Sequence, residues 1–332
     1  MPIRVVHYGL GPIGAAIVGQ VATRRGFKVV GGIDIDPAKA GRDLGDVVGL
    51  DRKLRVKVGD DPRAVIRAAK PDVVVLCTSS ALEKVWPQVQ GVLGLKVPIV
   101  STTEELAYPW WNQKRLATAV DQAARKARVA VVGTGVNPGF TMDALPITLT
   151  GVCQHVSAIT VNRIQDARSR RLPFQQKIGC GLTRAQFKAR VGEGSVRHVG
   201  LTESIAMIAD AMSWKLDKVT DVIAPKVAKA TIASPFLTVE RGRVCGLVQD
   251  GTGYVGGRPV IRLHMEAYLG APESYDSVDI EGTPALSMKI AGGVHGDVAT
   301  ASITVNSIPK VLHAAPGLHT MRSLPIPSWF GG

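Results

Sequence analysis

Two adjacent acids, Glu104 and Glu105, follow the apolar run at residues 97–102. A carboxylate at the end of such a run, partly withdrawn from water, can move protons and hold a cationic nitrogen. Thr102 and Glu105 have the S/T-x-x-E spacing of a capping box, which gives Glu105 a task at a helix start and leaves Glu104 freer to do chemistry. Both acids would equally suit the positive end of a helix as first-turn residues, so the catalytic assignment rests on Glu104 with Glu105 in reserve.

A second group is written near the N-terminus as Gly9-Leu10-Gly11-Pro12-Ile13-Gly14. Gly9 permits a tight turn, Gly11 lets the backbone approach a pyrophosphate, and Gly14 lets a helix pack closely on a strand. Phosphates then sit on N–H groups at the positive end of that helix. Asp34 falls 20 positions beyond Gly14, where a carboxylate accepts hydrogen bonds from ribose hydroxyls and favours NAD. Asp36, Lys39 and Arg42 follow closely, and a basic side chain there could hold a 2′-phosphate, so NAD(H) is expected with NADP(H) tolerated. Thr78, Ser79, Ser80 and Thr102 end two later apolar runs and are candidates to contact ribose and nicotinamide; each would serve equally as a helix cap.

The elements that must position these residues are legible in the hydrophobic pattern. Near-continuous Val/Ile-rich runs at 3–9, 28–34, 71–78, 97–102 and 127–135 predict strands buried on both faces of a parallel sheet. Helical patterns at 13–25, 61–69, 80–94 and 110–126 alternate with them. That rhythm defines an α/β, doubly wound Rossmann domain, because right-handed crossovers place helices on both faces. Beyond about Asn137 the pattern alternates instead, at 156–164, 219–226, 244–249, 260–267 and 286–291, around one amphipathic helix at 201–214 carrying Ile205, Ile208, Ala209 and Met212. This half reads as an α+β domain with a largely antiparallel or mixed sheet open on one face. A last helix is expected within 306–317, with Asn306 or Ser307 as cap, Pro309 in its first turn and Gly317 past its end. The expected organisation is a dinucleotide-binding domain at 1–136, a substrate-binding and dimerisation domain at 137–302, and a C-terminal helix and tail at 303–332 that returns to the first.

Composition narrows the class. The chain of 332 residues is 45% hydrophobic and 20% charged, which excludes disorder, fibrous repeats and coiled coils. Its net charge of +13 admits nucleic acid, acidic lipid or anionic cofactors. A DNA-binding dinucleotide sensor is disfavoured, because no helix-turn-helix signature, zinc spacing or aromatic-rich basic strand is present and aromatics are only 5%. Four scattered cysteines, Cys77, Cys153, Cys180 and Cys245, form no metal or dithiol motif. No run approaches the roughly 18 apolar residues of a membrane span, and the N-terminus has no secretory pattern, so a cytoplasmic protein is expected.

Taken together, "GLGPIG", "IDIDPAKAGRDLG", "STTEELAYPW", "GTGVNPGFTMD", "GGVHGDVAT" and "NSIPKVLHAAPGL" resemble the dihydrodipicolinate-reductase-like oxidoreductases. Within that group the chain is most similar to the 2,4-diaminopentanoate dehydrogenases and native amine dehydrogenases. The resemblance covers nearly the whole chain. It implies reversible oxidative deamination of a primary amine to a ketone or aldehyde with NAD(P), and reductive amination in reverse. It places on Glu104 the handling of the carbinolamine and the ammonium or iminium. It also implies that Asn137 meets the nicotinamide end or the substrate, that Phe140, with Thr141 beside it, walls the pocket, that His264 either lines it or is simply a half-buried sheet histidine, and that the protein is a homodimer. A substrate carboxylate would find Arg168, Arg170 and Arg171 available, although that cluster would also suit a solvated loop or subunit contact. The competing enzyme reading is an imine or oxo-acid reductase on the same plan; the histidine-pair, lysine and Ser-Gly-Thr segments of dihydrodipicolinate reductase proper are absent.

Overall fold

The computed structural model describes residues 1–331. Two compact units result, Met1–Phe140 together with the chain from His295 onward, and Thr141–Val294 between them. Against the expected divisions at 136/137 and 302/303, the first crossing comes later and the second earlier. The segment after Gly135 folds back on the first unit, where a Cβ on Gly139 would lie 2.4 Å from the Gly135 nitrogen.

The first unit is a parallel sheet of β1 (Ile3–Tyr8), β2 (Phe27–Ile33), β3 (Val58–Gly59), β4 (Val73–Leu76), β5 (Ile99–Ser101), β6 (Ala130–Gly133) and β15 (Gly317–His319). Their order is β15-β6-β5-β4-β1-β2-β3. Val73–Leu76 and Ile99–Ser101 are buried at every residue, as strands covered on both faces require. The covering helices include α1 (Pro12–Thr23), α3 (Pro62–Ala69), α4 (Leu82–Leu93) and α5 (Lys114–Ala127), with the short α2 at Leu44–Val47. The expected helix at 306–317 is instead α10, Gly296–Leu312, capped by His295 and carrying Pro309 inside. Its first half is rich in Val, Ile and Thr, which lowers helix propensity and hid the true start. Burial of Ala301, Ile303, Val305 and Ile308 holds it helical, and Gln20 and Arg24 on α1 bond to Ser302 and Asn306.

The second unit holds α6 (Ala144–Leu149), α7 (Leu172–Lys177), α8 (Arg184–Gly192) and α9 (Leu201–Ala211) beside a six-stranded mixed sheet. The strands are β7 (His155–Asp166), β8 (Lys218–Val227), β11 (Val244–Val255), β12 (Arg258–Tyr268), β13 (Tyr275–Thr283) and β14 (Leu286–Ala291), with β9 (Ile232–Ala233) and β10 (Thr238–Val239) paired apart. Their order is β14-β13-β7-β12-β11-β8, and β7 with β12 is the parallel pair. The expected strand at 244–249 runs on to Val255 because Gly251 and Gly253 form a trough for α9. A Cβ on either would lie 2.8 Å from Ile205. The other face carries His264, Glu266, Asp250 and the exposed Val222. All four cysteines are free thiols, and no helix of the described residues is long and apolar enough to cross a membrane.

Candidate active site

The turn between β1 and α1 is built from glycines for separate reasons. Gly9 has φ +94°, and a Cβ there would lie 2.6 Å from the Cys77 carbonyl oxygen. At Gly14 a Cβ would stand 2.0 Å from the Gly9 oxygen, so helix and turn touch backbone to backbone. Gly11 differs: a Cβ there would meet nothing within 4 Å. It is the N-cap of α1, with no side chain capping it, Pro12 in the first turn and no acidic residue beside it. A helix end with its positive pole uncovered, beside open space at Gly11, fits a pyrophosphate. Leu10 is buried and Ile13 half-buried, so the turn shows backbone outward.

Leu10 also connects the turn to Asp34, whose Oδ2 accepts its N–H at 2.9 Å. The Asp34 Oδ1 accepts the Asp36 N–H at 3.0 Å, and the Lys39 ammonium lies 2.9 Å from Oδ2. Burial alone would raise the Asp34 pKa; the bonds from Lys39, Asp36 and Leu10 outweigh it and hold the carboxyl below the usual carboxylate range. Next to it Ile35 is 82% exposed, an apolar surface at the end of β2 suited to a flat base.

At the carboxyl ends of β4 and β5 the hydroxyls knit the two loops together. Thr78 is exposed and donates to Gln88 at 2.5 Å. Ser79 accepts the Ala81 N–H, the Ser80 carbonyl accepts from the Glu105 N–H, and Thr102 bonds to the Cys77 thiol, which burial pushes up to about 12. The residue that sequence reading passed over is Thr103, fully buried, donating to the Ser79 carbonyl at 2.8 Å and accepting from Ser101. Its signal lay inside "STTEE", where two threonines offered themselves and only the solvent-facing one was chosen.

The two glutamates part company here. The capping box expected for Thr102 and Glu105 does not form. The segment Glu104–Leu106 is a single 3₁₀ turn whose N-cap, Thr103, makes no side-chain cap bond. Glu105 instead reaches the start of a different helix, accepting the Leu82 N–H at 2.8 Å, and also accepts from the Gln113 amide. It therefore caps α4. Glu104, half-buried one residue earlier, stays at the carboxyl end of the sheet. Asn137 is buried in the loop after β6, Phe140 is half-buried at its end, and the Val136 N–H bonds to Thr300 on α10. The first unit thus gathers Gly9 to Gly14, Asp34, Thr78, Ser79, Ser80, Thr102, both glutamates, Asn137 and Phe140 in the segments that follow its strands.

In the second unit the expected residues are dispersed. Thr141 is fully buried and lies 3.4 Å from Arg163 Nη1. Register pairs His264 with Asn162, and Met265 with Arg163, so His264 and Arg163 face opposite sides of the sheet. His264 Nδ1 lies 2.6 Å from Asp250, and Nε2 lies 3.4 Å from Glu266. Arg168 is half-exposed and held by Asp166, with contacts of 2.5 and 2.7 Å, while Arg170 bonds to Gln165 and lies over the Phe174 ring. Among the described residues no group of His, Cys, Asp and Glu could hold a metal ion.

A chain with this cofactor cradle on a doubly wound sheet, followed by a mixed-sheet unit, falls in the class of two-unit dinucleotide-dependent oxidoreductases. Residues 140–332 match the family model for the 2,4-diaminopentanoate dehydrogenase C-terminal domain. The chain is 34% identical to 2,4-diaminopentanoate dehydrogenase of Acetoanaerobium sticklandii, over 98% of this chain and 94% of that protein. It belongs to the 2,4-diaminopentanoate dehydrogenase family. It is also 23% identical to an amine dehydrogenase of Streptomyces virginiae, over 98% of this chain and 96% of the other. The solved amine dehydrogenase of Mycobacterium smegmatis superposes with TM-score 0.89 at 25% identity, covering 100% of this chain and 98% of that one.

Proposed function

We propose that the protein is an NAD(P)-dependent amine dehydrogenase that converts a small primary amine to a ketone or aldehyde and ammonia, and runs in reverse as a reductive aminase. The observation that carries the reading is the division of labour in the Glu104–Leu106 turn, within a chain of this family. Glu105 holds the start of α4, and Glu104, half-buried at the carboxyl end of the sheet, is the acid this reading assigns to the chemistry. When bound, the nicotinamide supplies a hydride acceptor at C4.

Glu104 does the proton work. Its carboxylate takes a proton from the substrate ammonium, freeing the nitrogen lone pair that drives hydride out of the adjacent C–H bond and leaves an iminium. Once that proton has passed to solvent, the carboxylate takes a second one from the water that adds to the iminium carbon. Returning that proton to the amine of the carbinolamine and then accepting the hydroxyl proton lets the C–N bond break, so that the carbonyl forms and ammonia leaves. Asn137 and Phe140 orient the reacting end, and Thr141, Arg168 and His264 are the substrate-side residues of this reading. NAD is the preferred cofactor of this reading because Asp34 keeps one acceptor position for a ribose hydroxyl. A cytoplasmic homodimer paired across the open sheet face belongs to the same reading. Cofactor reduction with a panel of alkyl amines and 2,4-diaminopentanoate, scored by ammonia release, tests it. Ammonia in step with NADH is expected, and no ammonia from any amine would overturn the assignment.

A further inference from the structure

Of roughly four acceptor positions on a carboxylate, three on Asp34 are already filled, by the N–H groups of Leu10 and Asp36 and by the Lys39 ammonium. A strict NAD site needs the opposite, an unscreened acid that both receives the ribose hydroxyls and repels a 2′-phosphate. Lys39 is 26% exposed, so its ammonium faces the acid on one side and solvent on the other. Asp36 Oδ2, at 3.7 Å, is a second and looser partner. Arg42 donates to the Ala38 carbonyl at 3.3 Å, and the cation seated on the ribose acid is Lys39.

We infer that Lys39 is the residue that sets cofactor selectivity: it screens Asp34 and offers its ammonium to a 2′-phosphate, so that NADP is accepted alongside NAD. This rests on the dinucleotide reading of the first unit and not on the identity of the amine. With NAD, the ammonium stays on Asp34 and one acceptor position remains for a ribose hydroxyl. With NADP, the ammonium turns to the added phosphate, and the like-charge repulsion from Asp34 is offset by that new pair.

Direct binding by calorimetry to the full chain tests the inference without turnover, using NAD⁺, NADP⁺, AMP and adenosine 2′,5′-bisphosphate. Wild type is expected to bind NAD⁺ and NADP⁺ within about tenfold of each other. In Lys39→Met the affinities for NADP⁺ and the bisphosphate should fall at least about tenfold, the scale of one charge-assisted bond, while those for NAD⁺ and AMP move less than about threefold. Lys39→Arg keeps the charge and should keep NADP⁺ binding. An unchanged NADP⁺ to NAD⁺ ratio in Lys39→Met overturns the inference, and failure of the wild type to bind any dinucleotide overturns both it and the cofactor assignment. Normal dinucleotide binding without ammonia release from any amine removes the proposed reaction and leaves the role of Lys39 standing.

Discussion

Arg163 Nη1 lies 2.5 Å from Asp276 Oδ1, and both side chains are 3% exposed, so the second unit has an ion pair inside its sheet-to-helix layer. The pair also holds both ends of the unit. Arg163 Nη2 donates to the Val294 carbonyl, Asp276 Oδ2 accepts the Val294 N–H, and Arg163 reaches the Thr141 hydroxyl. Removing one partner strands a charge without solvent. Arg163→Met is expected to cost about 3–5 kcal/mol of unfolding free energy, and Asp276→Leu a comparable amount, whereas the double substitution should recover much of either loss. Urea denaturation of the three variants measures this, and additive losses in the double variant would show that the two residues act separately.

The turn after β5 gives two glutamates two different failures. Glu104→Gln is expected to leave melting temperature and NAD⁺ affinity nearly unchanged while lowering turnover by on the order of 10² or more. Glu105→Gln weakens the cap on α4 and should cost about 0.5–2 kcal/mol of stability with a much smaller effect on turnover. Kinetics and thermal melts on the same two preparations separate the roles. A turnover loss confined to Glu105→Gln would exchange them.

His7 and His198 give the stability a pH dependence. His7 is fully buried and His198 half-buried, desolvation pushes each imidazole down to about 3, and neither His7 nitrogen nor His198 Nε2 has a hydrogen-bond partner. Unfolded, each takes a proton near pH 6.5; folded, each stays neutral until about pH 3. Their folded-state pKa values lie below the unfolded ones, so the stabilisation is whole above about pH 6.5 and is lost as pH falls toward 3. Each histidine contributes a slope of about 1.4 kcal/mol per pH unit in that window. Chemical denaturation at pH 7, 6 and 5 should show falling stability, and His7→Leu should flatten that decline. An identical pH slope in wild type and His7→Leu would refute the account.

Much of this was readable from residue types. The parallel sheet announced itself because Val73–Leu76 and the pair Ile99 and Val100 are apolar on both faces, which few other environments tolerate. The glycine turn and Asp34 were readable because their spacing is set by backbone geometry. Other features were set by contacts distant in sequence. The strand Tyr275–Thr283 escaped notice because one of its core-facing positions is Asp276, tolerable only opposite Arg163, which stands 113 residues away. The role of Glu105 was misplaced for the same reason: its spacing to Thr102 suggested a local cap, and its actual partner, Leu82, is 23 residues earlier. Lys39 was visible as a nearby base, but only the fold shows it seated on Asp34 itself.

The glycine turn also allows folding to be separated from cofactor binding. Gly14→Ala would press a methyl group to 2.0 Å from the Gly9 oxygen, a backbone atom with no flexible side chain to yield. Its expected outcome is a destabilised protein, by several kcal/mol, since the helix must lift from the strand. Gly11→Ala meets no such obstacle. The residue is in extended backbone, φ −69° and ψ −177°, which alanine adopts readily, and its Cβ projects into open space. Its cost to stability should stay below about 1 kcal/mol, the difference between glycine and alanine at a helix N-cap. That open space is where the cofactor reading puts the pyrophosphate, so the same methyl group should weaken NAD⁺ binding by on the order of tenfold or more. Calorimetric titration and thermal melting of the two variants decide the matter. A Gly11→Ala protein that binds NAD⁺ as tightly as wild type would show that the phosphates lie elsewhere.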